Sequence, residues 1–180
     1  KLGVLYNSGE ANSVKIVTVL RGLCAQKGIV LEEATVVNAS EASQAVQSLI
    51  VRGIQAFYLP SDNTAYQAFD VIAKETLAAG VPFILDQVEF VERGALAGIG
   101  VRYYDCAKRA GEILARVLRG ENPEKIPMEN LSVSVAGFNQ KVADQIGVRL
   151  SPKLFEMQKA FTSEAAGVPG DGSVEAAGSV

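Results

Sequence analysis

Leu2-Gly-Val-Leu-Tyr6 is a short apolar run that gives way at once to Asn7-Ser-Gly-Glu-Ala-Asn-Ser13, a stretch of small and polar residues. That change reads as a buried strand running into a helix start. The pattern recurs where Ala56-Phe-Tyr-Leu59 meets Pro60-Ser-Asp-Asn-Thr64, and where Pro82-Phe-Ile-Leu85 meets Asp86-Gln87. Strands are expected near 2–6, 30–36, 56–59, 82–85, 95–99 and 131–135. The helix after the first loop carries Ile16, Val19, Leu20, Leu23 and Cys24 at helical spacing, turns Lys15, Thr18, Arg21 and Gln26 to solvent, and ends before Gly28. A second helix opens after Asn38-Ala-Ser-Glu41, which resembles a capping box, and runs through Ala45, Leu49 and Ile50 to Gly53. A third covers 64–79 and stops at Gly80 and Pro82. Regular alternation of strands and helices predicts an α/β fold whose parallel sheet is covered on both faces.

The character of the chain changes at Gly98-Ile-Gly100, where two glycines would permit unusual backbone torsions and mark a hinge crossing. A helix over 103–118 then places Ala107, Ala110, Gly111, Leu114 and Leu118 along one stripe. Glu121 to Pro127 reads as a surface connection, followed by a returning strand from Leu131 to Val135. Asn139 to Ile146 and Pro152 to Phe161 read as terminal helices, the first ended by Gly147. Thr162 to Val180 is rich in Gly, Ala, Ser and Glu without apolar periodicity, and reads as a low-complexity tail or processing remnant. The expected organisation is a lobe over 1–100, the crossover helix, returning strand and terminal helices over 101–161, and the tail over 162–180.

In an open parallel sheet the loops after the strands share one edge, where small ligands bind. Three polar strand ends therefore converge on one cleft. Ser8, Asn12 and Ser13 decorate a helix start whose N–H groups and dipole suit an anion, while Asp62 and Asn63 suit helix capping. Ordinary capping alone would account for any one of them. Composition narrows the chemistry: the chain has no histidine, which removes the commonest general base and the commonest transition-metal ligand. Cys24 and Cys106 are too few for a zinc site and read as buried free thiols rather than a disulfide or a nucleophile. The formal net charge of -3, without a dense Lys/Arg patch, argues against a nucleic-acid partner, and no apolar run approaches the length of a membrane span. No metal and no cofactor are expected.

Tyr6-Asn-Ser-Gly-Glu-Ala-Asn-Ser-Val14, Leu59-Pro-Ser-Asp-Asn-Thr64, Val91-Glu-Arg-Gly-Ala95 and Gly98-Ile-Gly-Val-Arg-Tyr-Tyr-Asp105 resemble the substrate-binding proteins of ABC importers, in the branch that includes aromatic amino-acid binders. The resemblance runs from Lys1 to about Lys159. It implies one lobe of a two-lobed periplasmic-binding-protein type I fold, each lobe a Rossmann-like sandwich, closing on a small molecule without catalysis. At 180 residues the chain can hold one such lobe, since two need roughly 250 to 300. Lys1 enters a strand directly and looks like the crossing point between lobes, which puts the amino-terminal lobe and any export signal outside this chain. Implied partners are the importer's membrane subunits, and the implied location is periplasmic, or anchored as a lipoprotein outside the cytoplasmic membrane.

An amino-acid ligand needs N–H donors, an acidic acceptor and an apolar wall. On that reading Ser8, Asn12 and Ser13 hold the carboxylate, Asp86 holds the ammonium, and Asp62 and Asn63 form a second polar wall. Asp86 is chosen because it ends a buried strand where a ligand, water or a basic partner must satisfy it. Tyr6, Tyr103 and Tyr104 either contact the ligand or pack, and Arg102 can pair with Asp86 or Asp105. An effector-sensing domain of a regulator shares the architecture, and a small Rossmann-like enzyme is a further alternative, since fold does not fix function. A dinucleotide site is disfavoured by the single glycine in the first loop, and a phospho-receiver by the lack of paired acids after the first strand. The stripe on 103–118 would lack its lobe partner, so two chains would associate to bury it, or the helix would fold back on this lobe's sheet.

Overall fold

The computed structural model describes residues 1–101, 103–129 and 135–156. Six strands form one sheet in the order β2-β1-β3-β4-β5-β6: β1 is Leu2–Tyr6, β2 Leu31–Thr35, β3 Ala56–Leu59, β4 Phe83–Leu85, β5 Ala97–Gly100 and β6 Val135–Phe138. The first five run parallel, and β6 returns antiparallel to β5 with Ile99 opposite Ala136. From β1 the chain moves outward to β2 and then back across to β3, so strand order reverses between β1 and β3. That reversal opens a crevice at the carboxyl edge, between the loops that follow β1 and β3.

Alternation along the strands sorts the core into two faces. Leu5, Phe57, Leu59, Phe83 and Leu85 meet helices α2 (Ala42–Val51), α3 (Asn63–Gln67) and α4 (Phe69–Ala78) on one side. Val4 and Tyr6 meet Val17 of α1 (Ala11–Gln26) on the other, with Leu20 and Tyr58 packed against them. The α1 face differs from the expected one. Ser13, Val17 and Cys24 are buried, whereas Val19 and Leu23 are 52% and 51% exposed. Apolar residues occupy several sides of this helix, so periodicity did not single out the stripe that faces the sheet.

The third predicted helix is two, α3 and α4, broken at Ala68, whose N–H bonds the carbonyl three residues back, on Ala65. Neither glycine nor proline marks the break in the sequence. At Gly98 and Gly100 the expectation of unusual torsions is corrected: neither has a positive φ. They are there for room. A Cβ on Gly98 would sit 2.9 Å from Val91 Cγ2 and 3.1 Å from Val88 Cα, and one on Gly100 would collide with the Asp86 carbonyl oxygen.

Helix α5 (Tyr103–Leu118) has the predicted bounds, yet none of its residues is buried, and Leu114 and Leu118 are 57% and 78% exposed. The stripe does not fold back onto the sheet. Along the helix, Arg109 pairs with Glu112 and Glu129, and Arg116 with Glu121, which tie the following connection to it. The returning segment pairs as β6 from Val135 onward, and α6 (Gln140–Ile146) follows, capped by the Asn139 side chain and ended by Gly147 at φ +70. Residues 152–156 are helical. The expected strand residues 131–134, Arg102, the rest of the last helix and the tail lie outside the described residues. Cys24 is buried and Cys106 half-buried, both as free thiols.

Candidate functional site

At the crevice three strand ends are joined by side chains that cross between loops. Ser61, just after β3, is the hub. Its N–H and Oγ both donate to Asp86 Oδ2 at 2.9 Å, reaching the end of β4. Its carbonyl accepts from Asn12 Nδ2 at 2.7 Å and from Ser13 Oγ at 3.2 Å, reaching the start of α1. Asp62 is 1% exposed and binds both ways: Oδ1 caps α3 by accepting from the Ala65 N–H at 2.8 Å, and Oδ2 accepts from the Asn7 N–H at 2.6 Å.

Glu10 makes a second bridge. Its carboxylate accepts from the N–H and side-chain amide of Asn63, and from the N–H and hydroxyl of Thr64, at 2.8 to 3.0 Å. With the Tyr66 N–H bonded to the Asp62 carbonyl, the first four N–H groups of this chain segment, Asn63 to Tyr66, are all engaged by the protein's own oxygens. A guest anion finds no free donor there. Burial alone would push the Glu10 carboxyl up, but the bonds from Asn63 and Thr64 outweigh it and hold the group below its usual range.

A lowered folded value makes the clamp stabilising above the ordinary carboxylate range, and that stabilisation fades as pH falls through the lowered value. Urea melts of wild type and Glu10→Gln at stepped pH should therefore differ most near neutrality and converge in acid. A difference that stays constant with pH would remove the clamp from the account.

Beside these bridges lies an open cavity of about 480 Å³, lined by Asn12, Ser61, Asp62, Asn63, Tyr66, Gln67, Gln87 and Tyr103. Among these described lining residues none carries a positive charge. Tyr66 donates its hydroxyl to Asp86 Oδ1 at 3.1 Å, and its ring packs against Phe90 and Phe69 at centroid distances of 4.8 and 6.5 Å. Burial first, then the negative charge of Asp86, hold this hydroxyl well above the usual tyrosine range. The same two causes push the Tyr58 hydroxyl up to about 12.

Of the residues singled out in the sequence, Asn12, Asp62, Asn63 and Tyr103 line the cavity. Ser13 is fully buried and Ser8 is exposed, and neither lines it. Asp86 stands behind the lining, both oxygens engaged by Ser61 and Tyr66. Tyr6 is buried elsewhere: its hydroxyl donates to Glu33 Oε2 and accepts from Arg21. Tyr104 is exposed. Glu10, Ser61 and Tyr66 were not among the expected site residues. Ser61 and Glu10 stand inside the very loops that the strand-end pattern marks, and that position is the signal by which they could have been found.

Over residues 1–161 the sequence matches the family described as ABC transporter substrate binding protein. The chain belongs to that family. A curated relative, the Tyrosine-binding protein of Clostridioides difficile (strain R20291), is 30% identical over 140 residues, which is 78% of this chain and 40% of the relative. Among solved structures, a conserved domain protein from Vibrio cholerae is 29% identical with a TM-score of 0.79, covering 87% of this chain and 52% of that one. The ABC domain from Streptococcus pneumonia, solved with L-Trp, is similar in fold, with a TM-score of 0.77 at 24% identity over 87% of this chain and 52% of that one. The chain thus spans about half the length, or less, of these relatives. The family's description and the name of the curated relative are both those of binding proteins. Among the described residues no helix is long and apolar enough to cross a membrane.

Proposed function

We propose that this chain is a lobe of the solute-binding component of an ABC importer, that it holds an amino acid at the crevice between the loops after β1 and β3, and that it performs no catalysis. The observation that carries the reading is the coincidence of a polar cavity at the topological switch point with 30% identity to a tyrosine-binding protein. Membership of the family supports a small-molecule ligand and membrane transport subunits as partners, and a periplasmic or lipoprotein-anchored location. Asn12, Asp62, Asn63 and Tyr103 are the proposed ligand contacts on this side; the proposed ligand-binding lobe over 1–100 carries the first three, and α5 supplies Tyr103. The exposed stripe of α5 is then a surface for the part of the longer relatives that this chain does not match.

Calorimetry of the full-length protein against the common amino acids tests the reading. Saturable heat with L-tyrosine or a related amino acid is expected. Absence of binding to every amino acid, or reproducible turnover of a small molecule abolished by one side-chain change, would overturn it.

A further inference from the structure

We propose that Tyr66 is the ligand-facing acceptor of this site and Asp86 its positioning residue, so that this wall takes the ammonium end of an amino acid rather than its carboxylate. The proposal rests on the amino-acid reading above and assigns the ligand's orientation within it. A tyrosine hydroxyl has one hydrogen and spare lone pairs. Tyr66 commits its hydrogen to Asp86 Oδ1, and the carboxylate cannot swing away because Ser61 holds Oδ2 through two bonds. Phe90 packs edge-on against the Tyr66 ring and Phe69 stacks on it, so the ring is held as well.

Tyr66 is one of the residues lining the cavity, and with its hydrogen committed to Asp86 the lone pairs left on its oxygen are assigned to the ligand. Its hydroxyl stays protonated through neutral pH, since burial and the neighbouring negative charge both disfavour the phenolate. A ligand carboxylate also only accepts, and would meet a like partner backed by the charge of Asp86. An ammonium brings three donors and the opposite charge. Asp86 is not itself among the residues lining the cavity, so its effect passes through the tyrosine.

The test uses calorimetry of the full-length protein with three probes: L-tyrosine, tyramine, which lacks the carboxylate, and 3-(4-hydroxyphenyl)propionate, which lacks the ammonium. Tyr66→Phe should weaken L-tyrosine and tyramine by about tenfold and leave the propionate within about twofold of wild type. Asp86→Asn should weaken the same two probes, and should add little once Tyr66→Phe is present, because coupled residues are not additive. Equal losses on all three probes would mark a merely structural role, and losses confined to the propionate would reverse the orientation. Either result, or full additivity of the two changes, overturns the proposal while leaving amino-acid binding intact. If the wild type prefers another amino acid, the amine and acid made from that one replace the tyrosine pair. Failure to bind any amino acid removes the underlying reading and this assignment with it.

Discussion

Phe69→Ala should lower the stability of this protein by about 3 to 5 kcal/mol, the usual cost of truncating a buried phenylalanine. Phe69 is 1% exposed at the start of α4 and lies where three parts of the fold meet. Its ring stands 5.4 Å from Phe83 on β4, 4.9 Å from Phe90 in the 3-10 segment after β4, and stacks on Tyr66 at 6.5 Å. The Arg93 guanidinium covers the outer side, 5.0 Å from the Phe69 centroid and 4.8 Å from that of Phe90. An alanine would leave a hole between rings that belong to different elements, so no single movement can close it. Arg93 would also lose one of its two aromatic faces, worth about 0.5 to 1 kcal/mol at a half-exposed site.

Because a loss of that size takes a large part of a total of about 5 to 15 kcal/mol, Phe69→Leu is the companion variant. It should cost about 2 kcal/mol, at roughly 0.8 kcal/mol per methylene removed. Urea melts with unchanged slope would report both as true losses of stability. A change under about 1 kcal/mol in the alanine variant would show that the cluster collapses around the gap, and that the rings around Tyr66 do not hold one another in place.

The sheet was legible because its strands are written as apolar runs that end in polar, glycine or proline residues. β1 and β3 occupy the expected residues, and β2, β4 and β5 fall within two residues of theirs. Legibility ended where the information is not local. The helix over 64–79 looks continuous because neither glycine nor proline stands near Ala68, and the break comes where Phe69 enters the core. The antiparallel return of β6 depends on pairing with β5 across an excursion through α5, and alternation of apolar residues carries no strand direction.

The site was legible in its place and less so in its wiring. A strand ending in Ser, Asp, Asn and Thr says that polar groups gather there, and Asn12, Asp62, Asn63 and Tyr103 do line one cavity. Who bonds whom is set by loops 48 to 55 residues apart in the chain. Ser13 and Asp86 have the chemistry of ligand contacts, but Ser61 lies between them and draws both inward as structural partners. Tyr66 sits in a helix of five residues, too short for a periodicity that would say which way its ring turns.

Asp62→Ala should cost about 2 to 4 kcal/mol, because it strips two backbone donors of their partner at once. Loss of the α3 cap at the Ala65 N–H contributes about 1 kcal/mol by itself. The Asn7 N–H adds about 1 to 3 kcal/mol more, since it lies in the half-buried crevice with the Asp62 carboxylate as its acceptor. Asp62→Asn is not a conservative change here. Its one amide oxygen can serve Ala65 or Asn7, and its NH₂ would then face the other N–H donor to donor. Asparagine should accordingly recover only part of the loss, falling between wild type and alanine in chemical denaturation. The same lesion should weaken the proposed amino-acid binding, because α3 carries Asn63, Tyr66 and Gln67 to the cavity. If Asp62→Ala melts within about 0.5 kcal/mol of wild type, the loops after β1 and β3 are held by Glu10 and Ser61 without it. An asparagine variant as stable as wild type would instead show that the two N–H groups do not depend on one carboxylate.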